Sequence, residues 1–474
     1  MAGQSSDDLL ALFDNAPLNR RYWIIFAIMA GVAILDFFDF FLIAFVMSAI
    51  GKEWHMTYGQ GAIVLYSAGI GAICGALAWG GLGDLFGRKM QTVSGTLICG
   101  VCAGAIALVP TGNWQLLAAL RFLVGFGLAA SVTPALTLVV EVTPTRWRTG
   151  ITSFYVVFAS AGTLVASSVA AVLLHEFGWR GVAATGFIAI IVGLLTWAFV
   201  PESVRWLALK GRFAEAQSEV ATHLNLPLNQ VPLPTVRPAT QPRASLTELY
   251  TVNPRLFWQT LLIWCGSSTA AYGYYLWGPT IVESVVHVTP SQAAKYFVYV
   301  SATGVTGKII VSFIAPLMGR RALGIAFGFL AAAGVALAGY FNNILLGSFP
   351  LFVVLVAATA FFVEGGFSNL APYTVEQYGV RLGSRSSGLG QAANGVGKIL
   401  GPLVLALLAG SSNIIRPAAT EAAVFPAFLF IALMMLGVAF GYLFLGVETH
   451  GQPLALDSEE GAARAHTPGL AAGN

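Results

Sequence analysis

Tyr22–Ile50 reads YWIIFAIMAGVAILDFFDFFLIAFVMSAI, an apolar run whose only charged residues are Asp36 and Asp39. About 20 apolar residues at 1.5 Å per residue cross the roughly 30 Å hydrocarbon core of a bilayer, so this stretch is long enough to span one as a helix. Its two carboxylates are out of place there, because a charge near the bilayer centre costs roughly 2.5–3.5 kcal/mol on insertion scales. Three residues apart, they project from one helix face, toward protein or trapped water. They are either a polar packing pair satisfied by neighbours or a proton or ligand site, and the default for intramembrane ionisable residues is the second.

The rest of the chain fits this start. Of 474 residues, 57% are hydrophobic and 9% charged, against roughly 25% charged in a soluble domain. Apolar runs of spanning length recur twelve times, centred near Leu35, Ile70, Ile98, Val132, Gly162, Ile191, Trp264, Thr303, Gly328, Ala357, Gly397 and Met434. An all-α membrane protein of twelve transmembrane helices is expected. With both termini cytoplasmic, the inner segments hold seventeen Lys and Arg residues, while the outer loops hold only Lys52, Arg180, Lys295 and Arg416. That asymmetry obeys the positive-inside rule. The remaining cations, Arg121, Lys308 and Lys398, fall inside spans.

Cys74, Cys99, Cys102 and Cys265 all lie in apolar spans without disulfide or metal-ligand spacing, and read as small core residues. The polar N-terminus lacks a basic n-region before a short apolar stretch, so it is not read as a cleaved signal. Net charge is +3, explained by the inner loops, and points to no nucleic-acid partner. No metal cluster, nucleotide loop or nucleophile motif is present in the sequence, so neither a cofactor nor catalysis is expected. The chain is expected to act as a monomer in the lipid bilayer of a bacterial-type plasma (inner) membrane.

Residues 1–21 read as a cytoplasmic tail, 22–200 and 255–446 as two six-helix halves, 201–254 as a cytoplasmic loop and 447–474 as a second tail. In the loop, Val204–Leu224 has helical periodicity broken at Gly211, and a Pro-rich linker follows from Pro227 to Pro242. The halves repeat each other. Asp84-Leu85-Phe86-Gly87-Arg88-Lys89 after span two matches Pro316-Leu317-Met318-Gly319-Arg320-Arg321 after span eight. Glu141 to Arg146 and Glu376 to Arg381 share a five-residue step, and Pro201-Glu202-Ser203 corresponds to Val447-Glu448-Thr449. Such duplication is how many transporters are built.

These motifs carry a resemblance to the major facilitator superfamily across essentially the whole length. Gly83-Asp84 with Gly87-Arg88-Lys89 resembles its loop signature, and Arg121-Phe122 with Gly125 and Gly127 its span-four signature. Pro201-Glu202-Ser203-Val204-Arg205-Trp206-Leu207 and Val447-Glu448-Thr449-His450-Gly451 resemble motifs of the sugar-porter and metabolite-symporter branches. Asp36-Phe37-Phe38-Asp39 resembles the acidic span-one motif of proton symporters for aromatic acids, with Phe37 where Gly is usual. Pro316 stands where the superfamily often has Asp. The resemblance implies that spans one, four, eight, ten and eleven, which hold Asp36, Asp39, Arg121, Lys308, Glu364 and Lys398, surround a central cavity.

Counting along the spans places Asp36 and Arg121 at comparable depth, so an ion pair between them is expected. Asp36 or Asp39 is read as the proton carrier and Arg121 as the group that returns it to the charged state. A purely structural salt bridge is the alternative. Lys308, Glu364 and Lys398 lie near the midplane, and two cations against one acid leave a surplus that an anionic substrate would balance. Tyr272 and Tyr275 of span seven and Tyr155 of span five are candidate stacking contacts for a planar substrate, or simply core. In a superfamily member, Asp84, Arg88, Glu141, Arg148, Glu202, Arg205, Glu376, Arg385 and Glu448 are gating charges that set the two-state equilibrium.

The expected function is a proton-coupled importer of a small organic anion, an aromatic carboxylate above all, with protons as the coupling ion. A sugar or polyol symporter is the main rival, but span seven offers Gln259 only near its cytoplasmic end, without the glutamine cluster of sugar porters, and a neutral sugar gives Lys308 and Lys398 no role. A drug or cation efflux antiporter is disfavoured by the midplane positive charge. A membrane sensor that binds without transporting is a fourth reading, against which the gating charges and acid signals weigh.

Overall fold

The computed structural model describes residues 6–234, 246–342, 344–346 and 349–449. A short helix, α1 (Ser6–Asp14), precedes the first long one, α2 (Arg20–Glu53). There follow α3 (Tyr58–Phe86), α4 (Arg88–Ala105), α5 (Trp114–Val142), α6 (Arg148–Ala184) and α7 (Ile188–Phe199). The central loop carries α8 (Val204–Leu209), α9 (Phe213–Leu224) and α10 (Leu246–Val252). The second half consists of α11 (Pro254–Val286), α12 (Pro290–Met318), α13 (Arg320–Tyr340), α14 (Leu351–Leu408) and α15 (Pro417–Phe440).

Among the described residues, ten helical runs are long and apolar enough to cross a membrane. One of them, Gly150–Phe199, is 50 residues long, more than twice the roughly 20 that one crossing needs. It breaks at Gly178, whose φ of 61° and ψ of −168° are not helical. α11 has the length, at 33 residues, but its Ser, Thr, Gly and Tyr content leaves it outside the apolar set. α14 breaks similarly at Gly379 (φ 73°, ψ −179°), between the runs Leu351–Gly379 and Arg385–Leu408. In the loop, Gly211 takes a φ of 75° between α8 and α9. Much of the Pro-rich linker, residues 235–245, and the tail from 450, with His450 and Gly451, lie outside the described residues.

Contacts divide the chain into two compact units: Met1–Leu42 with Ile70–Ala166 and Arg180–Pro242, and Ile43–Gly69 with Ser167–Trp179 and Arg243–Asn474. In the first, the segment that reads as a polar tail forms α1, whose Leu9 and Phe13 are buried against Tyr22, Met29, Leu138, Trp206 and Val220. Burying such side chains contributes roughly 1.5–3 kcal/mol each. α4 and α5 meet backbone to backbone: a Cβ on Gly95 would lie 2.5 Å from the Gly127 carbonyl oxygen, and one on Gly127 would lie 2.7 Å from that of Gly95. In the second unit, the turn between α2 and α3 pairs main chain with the turn before α15. Tyr58 and Gly59 N–H donate to Asn413 and Ser411 oxygens, each at 2.9 Å, and Ile415 N–H donates to Met56 O, also at 2.9 Å.

Candidate functional site

The close α4–α5 approach sets the first cluster, because it brings Cys99 of α4 and Arg121 of α5 together onto α2. Asp39 is 2% exposed and Arg121 1%. The Cys99 thiol donates to Asp39 Oδ2 at 3.2 Å, while Asp39 Oδ1 has no hydrogen-bond partner. Arg121 does not form the expected ion pair with Asp36. Its Nη1 and Nη2 donate to the main-chain oxygens of Asp39 (2.8 Å) and Phe40 (3.0 Å), and its Cζ lies 5.7 Å from the Phe40 ring. A helical carbonyl keeps a second lone pair, and α2 uses two of these to seat the guanidinium. The charge therefore stands beside Asp39 without occupying its carboxylate. Asp36 is half-buried one turn away. Tyr155 belongs to the apolar cluster of this unit, its ring 6.5 Å from Phe26 and its hydroxyl without a hydrogen-bond partner.

The second cluster lies in the second unit. Lys308 of α12 and Glu364 of α14 form an ion pair at 2.6 Å, with residue exposures of 4% and 9%. Gly307 makes this possible, since a Cβ there would lie 2.3 Å from the Phe361 carbonyl oxygen and push the helices apart. Lys308 Nζ is 5.6 Å from the Phe367 ring. Tyr275 presents its hydroxyl to the same face of Gly304 as Glu364 Cγ, and its ring is 4.4 Å from that of Tyr274. Lys398 is half-buried with Nζ 5.3 Å over the Tyr272 ring. Nearby polar pairs, Ser268 to Asn394 at 2.8 Å and Trp264 Nε1 to Thr374 at 3.0 Å, join α11 to α14. Lys308 thus stands in a buried ion pair with Glu364, and the Lys398 ammonium lies on an aromatic face.

A family model described as the Major Facilitator Superfamily matches residues 29–346. The chain belongs to the major facilitator superfamily. It is 27% identical over 454 residues to the niacin transporter NiaP of Acinetobacter baylyi, covering 94% of this chain and 99% of that protein. It is 26% identical over 419 residues to the gallate transporter of Pseudomonas putida, covering 84% and 89%. The 4-hydroxybenzoate transporter PcaK of Acinetobacter baylyi matches at 30% over 222 residues, 47% of this chain and 48% of that one. Among solved structures, a D-xylose-proton symporter superposes with a TM-score of 0.70 at 15% identity, over 91% of this chain and 99% of that one. The molecule is therefore a multi-pass membrane transporter of this superfamily, not an enzyme.

Its superfamily loop signatures are built alike in the two units. Gly87 (φ 95°) precedes α4, and Glu202 caps that helix by accepting from the Arg88 and Lys89 amides at 2.9 and 3.0 Å. Gly319 (φ 83°) precedes α13, with the Glu448 carboxylate over it, 2.9 Å from where a Cβ would stand. Carboxylates at helix N-termini suit the macrodipole, and both glycines combine positive φ with a carboxylate standing where a Cβ would be. Arg88 Nη1 donates to Gly83 O at 3.1 Å. Glu141 accepts from the Ser203 hydroxyl. Glu376 takes Arg320 Nε at 2.7 Å and the Thr449 hydroxyl at 2.7 Å, while Arg385 is half-buried. The Asp84 side chain lies outside the described residues.

Arg148 and Arg205 find a partner that the sequence reading passes over. Both donate to Asp14 at the end of α1, at 2.7 Å and 2.7 Å. The available signal was the apolar pattern Leu9, Leu10, Leu12 and Phe13, which marks a docking helix. Nothing in the sequence distinguishes Cys99 from the other three cysteines, of which only Cys102 is also buried; Cys74, expected in the core, is exposed and Cys265 half-buried.

Proposed function

We propose that this chain is a proton-coupled symporter that imports a small organic anion, above all an aromatic carboxylate, by alternating access. Twelve spans with both termini in the cytoplasm follow if Gly150–Phe199 counts as two crossings and α11 as one. The observation that carries the substrate class is Lys398 seated over the Tyr272 ring. An ammonium and an aromatic face offered together suit a planar acid, as point-charge partner and stacking surface. The likeness to the xylose symporter is one of fold. The relatives named for niacin, 4-hydroxybenzoate and gallate support the same class. Asp39, buried with one carboxyl oxygen unpartnered, is the proposed proton carrier, and Arg121 the fixed charge that draws the proton off again.

In proteoliposomes, an inward proton gradient should drive accumulation of labelled nicotinate or 4-hydroxybenzoate. Uptake indifferent to the gradient would remove proton coupling. Asp39→Asn should abolish gradient-driven accumulation while anion exchange continues, and full accumulation by that variant would reassign Asp39 to packing. Lys398→Ala should weaken anion binding at least tenfold, read as loss of the thermal shift that the ligand gives the parent protein. Equal shifts would dismiss the cation site.

A further inference from the structure

One face of α14 carries Gln391, Asn394 and Lys398 at positions i, i+3 and i+7. Over this stretch α11 runs beside it in step. A Cβ on Gly390 would lie 2.5 Å from the Trp264 ring, Ser268 Oγ donates to Asn394 Oδ1 at 2.8 Å, and Lys398 Nζ lies 5.3 Å over the Tyr272 ring. Each contact falls four residues beyond the last on both helices, so the polar rung and the aromatic rung are neighbours, about 6 Å apart along the axis. A Cβ on Gly397 would lie 2.4 Å from Ser268 Cβ, so the two helices press together between these rungs.

The polar rung continues away from α11. Asn394 Nδ2 donates to Gln391 Oε1 at 3.1 Å. Ser268 is fully buried and Asn394 is 7% exposed, whereas Gln391 is exposed. Hydrogen bonds therefore run in one sense from a buried hydroxyl to an exposed amide, and Gln391, accepting through its oxygen, offers N–H donors at the end of the relay. A clamp between two helices needs Ser268 and Asn394 but no third, exposed amide. Within a membrane span such a polar group belongs against protein or a water-filled cavity, not lipid.

We propose that the Ser268–Asn394–Gln391 relay selects the ring substituent of the substrate, donating a hydrogen bond to an acceptor para to the carboxylate that Lys398 holds. The proposal rests on the reading of Lys398 as the anion site, and it adds which aromatic acids that site prefers. The ring lies on Tyr272 with its carboxylate at Lys398 and its para position directed along α14 toward the polar rung. A single benzene ring with its two para substituents spans about one helical turn, the separation of the rungs. Meta positions point to either side of that line. A para hydroxyl oxygen brings lone pairs to the Gln391 N–H, whereas unsubstituted benzoate displaces water from the donor and returns no bond. The preferred substrates are therefore 4-hydroxylated aromatic acids. Benzoate, 3-hydroxybenzoate and nicotinate, whose ring nitrogen is meta, bind through carboxylate and ring alone.

The test is equilibrium binding to the full chain in detergent. Gln391 is exposed and regains some water, so the preference should be about tenfold for 4-hydroxybenzoate over benzoate and 3-hydroxybenzoate, the worth of one net hydrogen bond. 4-Aminobenzoate has the same outline but a poor acceptor at the para position, and should bind like benzoate. Gln391→Leu removes the terminal donor and should bring the ratio of 4-hydroxybenzoate to benzoate affinity to about one. Equal binding of these acids by the parent overturns the relay and leaves the anion site standing. A parent that binds none of them overturns both. 4-Aminobenzoate bound as tightly as 4-hydroxybenzoate overturns the donor role of Gln391, and so does a Gln391→Leu protein that keeps the tenfold preference. Should that variant fail to fold, the affinities of the parent for the 4-hydroxy, 4-amino and 3-hydroxy acids decide the question alone.

Discussion

Among the described residues, a thiol is the hydrogen-bond donor to the Asp39 carboxyl group, and that makes Cys99 a residue through which its proton affinity can be adjusted. Thiols are weak donors. Cys99→Ser offers a stronger donor and favours the charged carboxylate, whereas Cys99→Ala removes the donor and favours the protonated one. The midpoint of the uptake pH profile should therefore move down in the first variant and up in the second. A net hydrogen bond of about 0.5–1.5 kcal/mol corresponds to shifts of about half to one pH unit. Shifts of the same sign in both variants would reduce Cys99 to packing. Gly307 makes a separate prediction: Gly307→Val must displace the Phe361 carbonyl and should cost about 1–3 kcal/mol, read as a lower thermal midpoint in detergent. The charged members of both clusters are legible in sequence, since Asp39, Arg121, Lys308, Glu364 and Lys398 interrupt apolar runs where charge is costly. Their partners are not. Cys99, the carbonyls of Asp39 and Phe40, and the Phe367 ring become neighbours only through helix packing, which no spacing along one helix encodes.

The element that sequence conveys least well is α1. Its nine residues would be marginal as an isolated helix, and it persists because Leu9 and Phe13 enter the apolar cluster while Asp14 engages Arg148 and Arg205. Partly exposed ion pairs contribute about 1 kcal/mol or less, so the apolar contacts dominate. Phe13→Ala should cost about 3 kcal/mol, and Asp14→Ala clearly less, in thermal denaturation of the detergent-solubilised protein. The same contact contains a pH response. His223 of α9 is 2% exposed, its ring 5.0 Å from Phe13, and neither ring nitrogen has a hydrogen-bond partner. Burial, with a lesser push from the Arg21 charge, holds the imidazole down to about 4 from its usual 6.5. The unfolded chain therefore binds a proton that the folded chain refuses between those values. There is no penalty above pH 6.5; it grows as pH falls and levels off below 4 at about 3 kcal/mol. His223→Leu should flatten the thermal midpoint between pH 7 and 4 relative to the parent, and parallel curves would show that other groups govern acid stability.

At the level of the molecule, hydropathy and the distribution of Lys and Arg make the membrane fold legible, and the paired loop signatures make the duplication legible. Less visible is that the turn-bearing stretch Ile43–Gly69 belongs by contact with the C-terminal helices. Its attachment uses main-chain hydrogen bonds, which leave no mark on side-chain pattern, the Tyr58 hydroxyl on Thr420 at 2.6 Å, and the ion pair of Lys52 with Glu283 at 3.0 Å. On the proposed topology this stretch lies at the outer surface, and the proposed alternating-access cycle would part it from α11 and α15 once per turnover. The ion pair is then part of the barrier to outward opening. Glu283 is largely withdrawn from solvent while Lys52 is about a third exposed, so the pair should contribute about 1 kcal/mol, a factor of roughly five in the population of the open state. Lys52→Glu and Glu283→Lys each set like charges against one another, and each should raise amide hydrogen exchange across residues 57–69. The double variant restores opposite charges in swapped positions and should return exchange toward the parent rate. Recovery in the double variant separates an interaction between these two side chains from separate damage at either, and single variants that exchange like the parent would show that the main-chain pairing and the Tyr58–Thr420 contact hold the turn closed without the ion pair.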